Sequence, residues 1–314
     1  YNYADQDHVG WSSIVPEYSF LVTVISNLKI FEFIKENKLP IKYFVPLSSN
    51  IFGSSKTKKQ NEKSLLNPTS IYVGALMISP ALAAFITLKI KKRPIASLPW
   101  SLKDLKYLKY SYFTPILYVS IAYVLIWLFG FGNLINTEVI AQWSDELGIA
   151  ESNKTLVTIV MIFLLLTVGV IKNLGSTLGE EIGWRGFFIF ELRKVMSFKS
   201  LTIISGVIWA IYHFPIIHLI YGNGQNILLH ISAFTIMIIG ISVILAYYTF
   251  KSNSLWPAAI YHSVHNIYIQ KICTPLTITN DNTTFWIDEY GFMIPIVTTI
   301  FAVYFWRKAK IESL

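Results

Sequence analysis

Cysteine is almost absent from this chain. The single thiol, Cys273, excludes an internal disulfide framework and any zinc site built from cysteines, and it reads as an ordinary small residue at a membrane edge. Charge is scarce too: 14% of the 314 residues are charged, where soluble domains carry about 25%. Hydrophobic residues make up 54%, aromatic residues 15%, and the mean hydropathy is +0.51. The apolar residues gather in long runs, so the composition describes an integral membrane protein with many helices. The charge that remains is unbalanced, at +8 with a pI near 9.3. Nucleic acid as a partner would need those basic residues on one soluble face. They lie between apolar runs instead, so they are read as setting orientation in the membrane, with membrane lipid as the partner and nucleic acid excluded. The chain opens at Tyr1 with acidic rather than basic residues, and no signal peptide, internal repeat or soluble domain is read in it.

The fold class expected is all-α: a polytopic transmembrane bundle of seven or eight spans with its active site in a cytoplasm-facing cavity. Residues 1–69 form an N-terminal segment, in which Val15–Ile34 is a moderately apolar stretch interrupted by Asn27, Lys29 and Glu32 and 35–63 is a lysine-rich loop. Residues 70–154 hold membrane helices joined by a basic connector, Ser101–Tyr112, expected to lie as an amphipathic helix on the membrane surface. Residues 155–270 hold the polar residues set among apolar runs, and 271–314 an extracytoplasmic loop and a last helix. Apolar runs fall near 70–90, 110–132, 155–178, 200–220, 227–250, 254–270 and 290–307. Lys89, Lys91, Lys92, Arg93, Lys103, Lys106 and Lys109 mark one loop as cytoplasmic; Glu138, Asp145, Glu146 and Glu151 mark the next as outside. Alternation then puts Arg185, Arg193, Lys194 and Lys199 inside, while the 35–69 loop conflicts with it.

Polar residues inside or beside apolar runs are the informative ones, because charge in hydrocarbon is costly and marks function by default. They concentrate at Glu180/Glu181/Arg185, at His213 with nearby His218, at His230, and at His262/His265/Asn266. Glu181 and Arg185 are four apart and share a helix face, which pairs them and leaves Glu180 oriented differently. His262 and Asn266 share a face in the same way, as do Trp209 and His213. A carboxylate beside a histidine can hold and deprotonate a water, and a second histidine with an asparagine can stabilise the oxyanion that forms when water attacks a carbonyl. That describes amide hydrolysis without a covalent intermediate. A Gly-x-Ser-Gly nucleophile turn, aspartates in two spans and a His-Glu-x-x-His zinc motif are all missing. A zinc ion shared by Glu180, His213 and His262 stays open as an alternative cofactor, and a non-catalytic scaffold or immunity protein stays open as an alternative function.

Glu180-Glu181-x-x-x-Arg185, Trp209-x-x-x-His213 and His262-x-x-x-Asn266, in this order on successive segments, resemble the CAAX-protease and bacteriocin-processing family of intramembrane glutamic endopeptidases. Gly179-Glu-Glu-Ile-Gly-Trp-Arg-Gly-Phe187 and Ser254-Leu-Trp-Pro-Ala-Ala-Ile-Tyr-His262 fit the same family, and the resemblance covers about residues 155–270. Trp209 stands where many members have Phe, a variation expected to be mild. The resemblance implies Glu180 as the general base, assisted by His213, with His262 and Asn266 as the oxyanion hole and no metal cofactor. It makes Glu181 and Arg185 organisers of the site, with Glu181 a second contributor. The substrate implied is a membrane-associated, lipidated or small secreted peptide. A composition rich in Ile, Lys, Asn and Tyr favours the plasma membrane of a bacterium or archaeon, and with it peptide processing or self-immunity over true CAAX cleavage. His218, His230 and His265 read as structural.

Overall fold

A computed structural model describes residues 68–221 and 226–314. The stretch Val15–Ile34, the lysine-rich loop and the side chain of His218 lie outside the described residues. Helices make up nearly all of what is described: α1 (Pro68–Ile90), α2 (Leu105–Leu128), the short α3 (Thr137–Leu147), and a long helical run α4 (Glu151–Arg193). They continue with α5 (Phe198–Tyr221), α6 (Ile227–Ser252), α7 (Trp256–Ile267) and α8 (Met293–Ile311). A two-residue antiparallel clip, Asn133–Leu134 against Thr277–Ile278, joins the end of α2 to the segment after α7. Among the described residues, α2, α4 and α6 are long and apolar enough to cross a membrane. The outer surface agrees with that: Ile78, Leu82, Ile86 and Ile90 on α1, and Phe113, Leu117 and Ile121 on α2, recur every fourth residue and stay exposed. An apolar stripe turned outward has no place in water and suits lipid.

One sequence expectation is corrected. The basic connector does not form a separate surface helix. Its second half, from Leu105, is the start of α2, because nothing between Leu105 and Pro115 breaks a helix. The helix that carries the apolar run 155–178 extends beyond it: α4 passes through both glutamates and on to Arg193, and Glu180, Glu181 and Arg185 are 1%, 0% and 1% accessible. Backbone polar groups in hydrocarbon must be satisfied within the segment, so the helix carries the charges along rather than unwinding around them.

α7 packs between α2 and α4, and nine of its twelve residues are buried. It starts where Pro257 fills the first turn and Ser254 Oγ accepts from the Trp256 amide. The connector after α1 fixes this start: the Leu255 amide bonds the Pro99 carbonyl at 2.9 Å, and the Trp256 indole donates to the Trp100 carbonyl at 3.0 Å. On the far face of α4 lies α1. Gly179 and Gly183, one turn apart, make that approach close: a Cβ on Gly179 would sit 2.6 Å from the Met77 carbonyl oxygen, and one on Gly183 2.4 Å from Pro80. This small-x-x-x-small pattern lets two membrane helices touch backbone to backbone, and it turns Glu180 and Glu181 away from α1.

Gly183→Ala is therefore expected to lower the thermal midpoint of the detergent-solubilised protein, through overpacking of about 1–3 kcal/mol. Gly175→Ala, where a Cβ meets nothing within 4 Å, should leave it unchanged or raised. Equal effects in the two variants would rule out the close crossing as their cause.

Candidate active site

The site forms where α4, α5 and α7 meet, with one side chain from α6. Hydrogen bonds hold α4 to α7 nearly turn by turn. Ser263 Oγ donates to the Val170 carbonyl (2.7 Å), Asn173 Nδ2 to the Ser263 carbonyl (3.4 Å) and Thr177 Oγ1 to the Ala259 carbonyl (3.3 Å). The next contact along this seam is His262 Nδ1 with Glu181 Oε1, at 2.9 Å. Directly after Glu181 the helix widens into a π-turn over Ile182–Phe188, which contains Arg185. Such turns recur at functional sites because the extra residue re-aims the side chains that follow.

Arg185 is fully occupied. Nη1 donates to Glu181 Oε1 at 3.1 Å, Nη2 donates to Ser242 Oγ of α6 at 3.1 Å, and the guanidinium lies 4.0 Å from the centre of the Trp209 ring. A planar, permanently charged fork suits all three contacts at once. Glu181 Oε1 thus serves both Arg185 and His262, while Glu181 Oε2 is buried without a hydrogen-bond partner among the described residues. Glu180 is held differently: its Oε2 accepts from the Trp209 indole N–H at 2.7 Å.

His213 Nδ1 lies 2.8 Å from the Trp209 carbonyl one turn earlier. A carbonyl only accepts, so the proton is on Nδ1 and the lone pair of the neutral ring is on Nε2. Trp209 centres the group, with its ring 5.9 Å from that of His213 and 5.3 Å from that of His262. Asn266 lies one turn beyond His262 on α7 and is half-buried, as is His213. No hydrogen bond joins Asn266 to the others among the described residues. Glu180, Glu181, Arg185, His213 and His262 are thus brought around Trp209, and Asn266 shares the helix that carries His262.

Two further histidines among the described residues are engaged elsewhere. His230 Nδ1 donates to the Tyr290 carbonyl at 3.0 Å. His265 bonds the Tyr118 hydroxyl and lies 3.5 Å from Glu289, which sits in the loop before α8 with its carboxyl pushed up by burial and by neighbouring Asp288. Among the described residues no three His, Cys, Asp or Glu side chains converge as a metal-binding group. Sequence spacing missed Ser242 and the indole bond to Glu180. Ser242 had one signal, a lone hydroxyl within the apolar stretch 236–246.

Residues 154–268 match the family model described as type II CAAX prenyl endopeptidase Rce1-like, which indicates a peptidase of the CAAX protease family. A second family model, GDP-mannose 4,6 dehydratase, matches residues 1–85. That stretch has no glycine-rich dinucleotide turn, its glycines being Gly10, Gly53 and Gly74, and its described part is the apolar helix α1, so the match carries no weight for function. No curated protein matches the chain.

Arg185→Ala removes the partner of a buried carboxylate, a change that costs about 3–5 kcal/mol. A sharp fall in both folded yield and thermal midpoint is expected. Arg185→Lys should recover only part of it, because an ammonium cannot serve Glu181, Ser242 and the ring together. Wild-type yield and midpoint in Arg185→Ala would show that the ion pair is dispensable.

Proposed function

We propose, from the match of residues 154–268 to the type II CAAX prenyl endopeptidase Rce1-like family model, that the protein is an intramembrane endopeptidase in which Glu180 activates water without a metal. The observation that carries this reading is the unequal treatment of two adjacent carboxylates. Glu181 is bound by an arginine and a histidine, whereas Glu180 is bound by a neutral indole. A carboxylate neutralised by a guanidinium is a poor proton acceptor, so the base is the other one.

In the proposed reaction a water lies between Glu180 and Nε2 of His213. Glu180 takes its proton as the oxygen attacks the scissile carbonyl carbon. The carbonyl π bond breaks and its electron pair moves to oxygen. That oxyanion is held by Nε2–H of His262 and the side-chain amide of Asn266. His262 gives its Nδ1–H to Glu181, so it donates from Nε2 as an imidazolium. Collapse of the intermediate breaks the C–N bond, and Glu180 returns the proton to the leaving amine. The half-buried positions of His213 and Asn266 beside the sealed Glu181–Arg185 pair suit groups that meet substrate.

The substrate we propose is a membrane-associated peptide, with a C-terminally lipidated one as its natural extreme. The bundle would have seven or eight spans and a cavity opening to the cytoplasm, an orientation supported by the basic residues from Lys89 to Lys109. A second reading exchanges the glutamates, since Glu181 Oε2 is buried without a partner among the described residues and could hold the water instead.

Cleavage of an internally quenched, farnesylated C-a-a-X peptide by the protein in liposomes separates these readings. Glu180→Gln should lose activity by orders of magnitude with an unchanged thermal midpoint, and Asn266→Ala should lose roughly 10²–10³-fold in kcat. Activity should survive chelation. Loss with a chelator and return with zinc would replace the water-activating glutamate by a metal. An active Glu180→Gln beside an inactive but folded Glu181→Gln would favour the exchanged reading.

A further inference from the structure

We propose that Trp209 is a positioning residue of this site, whose indole N–H fixes the Glu180 carboxylate and whose ring face keeps the Arg185 guanidinium apart from it. The inference rests on the reading of Glu180 as the base. One side chain makes both contacts through different parts of the ring: the N–H edge meets Glu180 Oε2 at 2.7 Å, and the face lies 4.0 Å from the guanidinium carbon. Trp209 is also buried, 2% accessible, so neither contact is screened by water.

The chemistry follows from where the cation is allowed to go. Among the described residues Arg185 is the one arginine or lysine bonded to either glutamate, and its bond runs to Glu181. Helix spacing already gives Arg185 to Glu181 rather than to Glu180, and a guanidinium that swung across to Glu180 would leave it less free to take a proton. Here the indole faces the guanidinium, whose other bonds run to Glu181 and to Ser242. Glu180 receives a single hydrogen bond from a neutral donor instead. That bond orients the carboxylate through Oε2 and leaves Oε1 for water, without pairing it to a cation. A phenyl ring at this position keeps the cation–π face but has no N–H. The exchange of Phe for Trp in this chain is therefore not mild: it adds a donor to the base itself.

Two measurements test this on the full chain. The first needs no substrate. With the indole nitrogens labelled with ¹⁵N, Trp209→Phe removes one of the N–H resonances of the nine tryptophans and so assigns it. In Glu180→Gln, where a charged acceptor becomes neutral, that resonance should move upfield. A resonance indifferent to Glu180→Gln overturns the proposal, whether or not a cleavable peptide is in hand. The second uses the quenched farnesylated peptide. Trp209→Phe should lower kcat about tenfold or more with KM nearly unchanged. A purely structural role would lower the folded yield and leave the kcat of the folded fraction unchanged. Wild-type kcat in Trp209→Phe overturns the proposal while an inactive Glu180→Gln keeps the base reading. A fully active Glu180→Gln overturns the base reading, and with it the inference that rests on it.

Discussion

A guanidinium buried in an apolar bundle is the constraint on which the rest of this structure depends. Arg185 cannot shed its charge, and burying an unpaired ion is too costly for any fold to bear. Every group around it answers that demand. Glu181 supplies the counter-charge, Ser242 accepts from the second arm of the fork, and the Trp209 ring covers the face. These groups come from three helices, so satisfying one side chain fixes α4, α5 and α6 relative to one another. His262 then joins through Glu181 and brings in α7. The ion pair is a weak source of net stability by itself. Its value here is specificity: slide any of the four helices by one residue and a charge loses its partner.

The segment matching the family model does not complete this arrangement alone. α7 packs against α2, which lies outside residues 154–268, and the Tyr118 hydroxyl of α2 bonds His265 one turn from His262. α1 is outside as well. It lies on Gly179 and Gly183 and accepts a bond from the Tyr212 hydroxyl at the Leu76 carbonyl, beside His213. Ser79 bonds the same hydroxyl at 2.9 Å. The loop before α8 reaches His265 through Glu289. Helices before and after the matched segment thus brace the residues within it, by close glycine packing on one side and buried hydroxyls on the other. Such braces carry no chemistry of their own, which is why a motif search along the chain passes over them.

What could be read from the sequence was whatever repeats over one helical turn. Four-residue spacing gives the Glu181–Arg185 contact, the shared face of His262 and Asn266, and Trp209 beside His213, because an α-helix fixes those neighbours without reference to the rest of the fold. Contacts between helices were not legible. His262 lies 81 residues from Glu181, and Trp209 lies 29 from Glu180; no local periodicity encodes either. The extension of α4 past the apolar run was not legible for a related reason. Hydropathy falls at two glutamates and an arginine, whereas the helix continues through them because Glu181 and Arg185 pair within it. The start of α2 was misread because lysines beside leucines look amphipathic whether a helix lies on a membrane or enters it.

Charge balance explains why the site contains two adjacent glutamates rather than one. A single carboxylate next to Arg185 would form a neutral pair and give up its basicity to the cation. A second carboxylate lets one neutralise the arginine while the other remains available. The same count then asks for one more positive charge, since two carboxylates and one guanidinium leave the cluster negative in a medium that penalises net charge. The imidazole of His262, with Nδ1 on Glu181, is the group beside the pair that can carry one, and when doubly protonated, as the proposed reaction has it, the ring presents Nε2–H away from Glu181. In the proposed reaction that N–H is the oxyanion donor. Glu181, Arg185 and His262 therefore form one bonded unit: in the proposed reaction Glu181 holds Arg185 away from the base and turns the far edge of the His262 ring to the substrate.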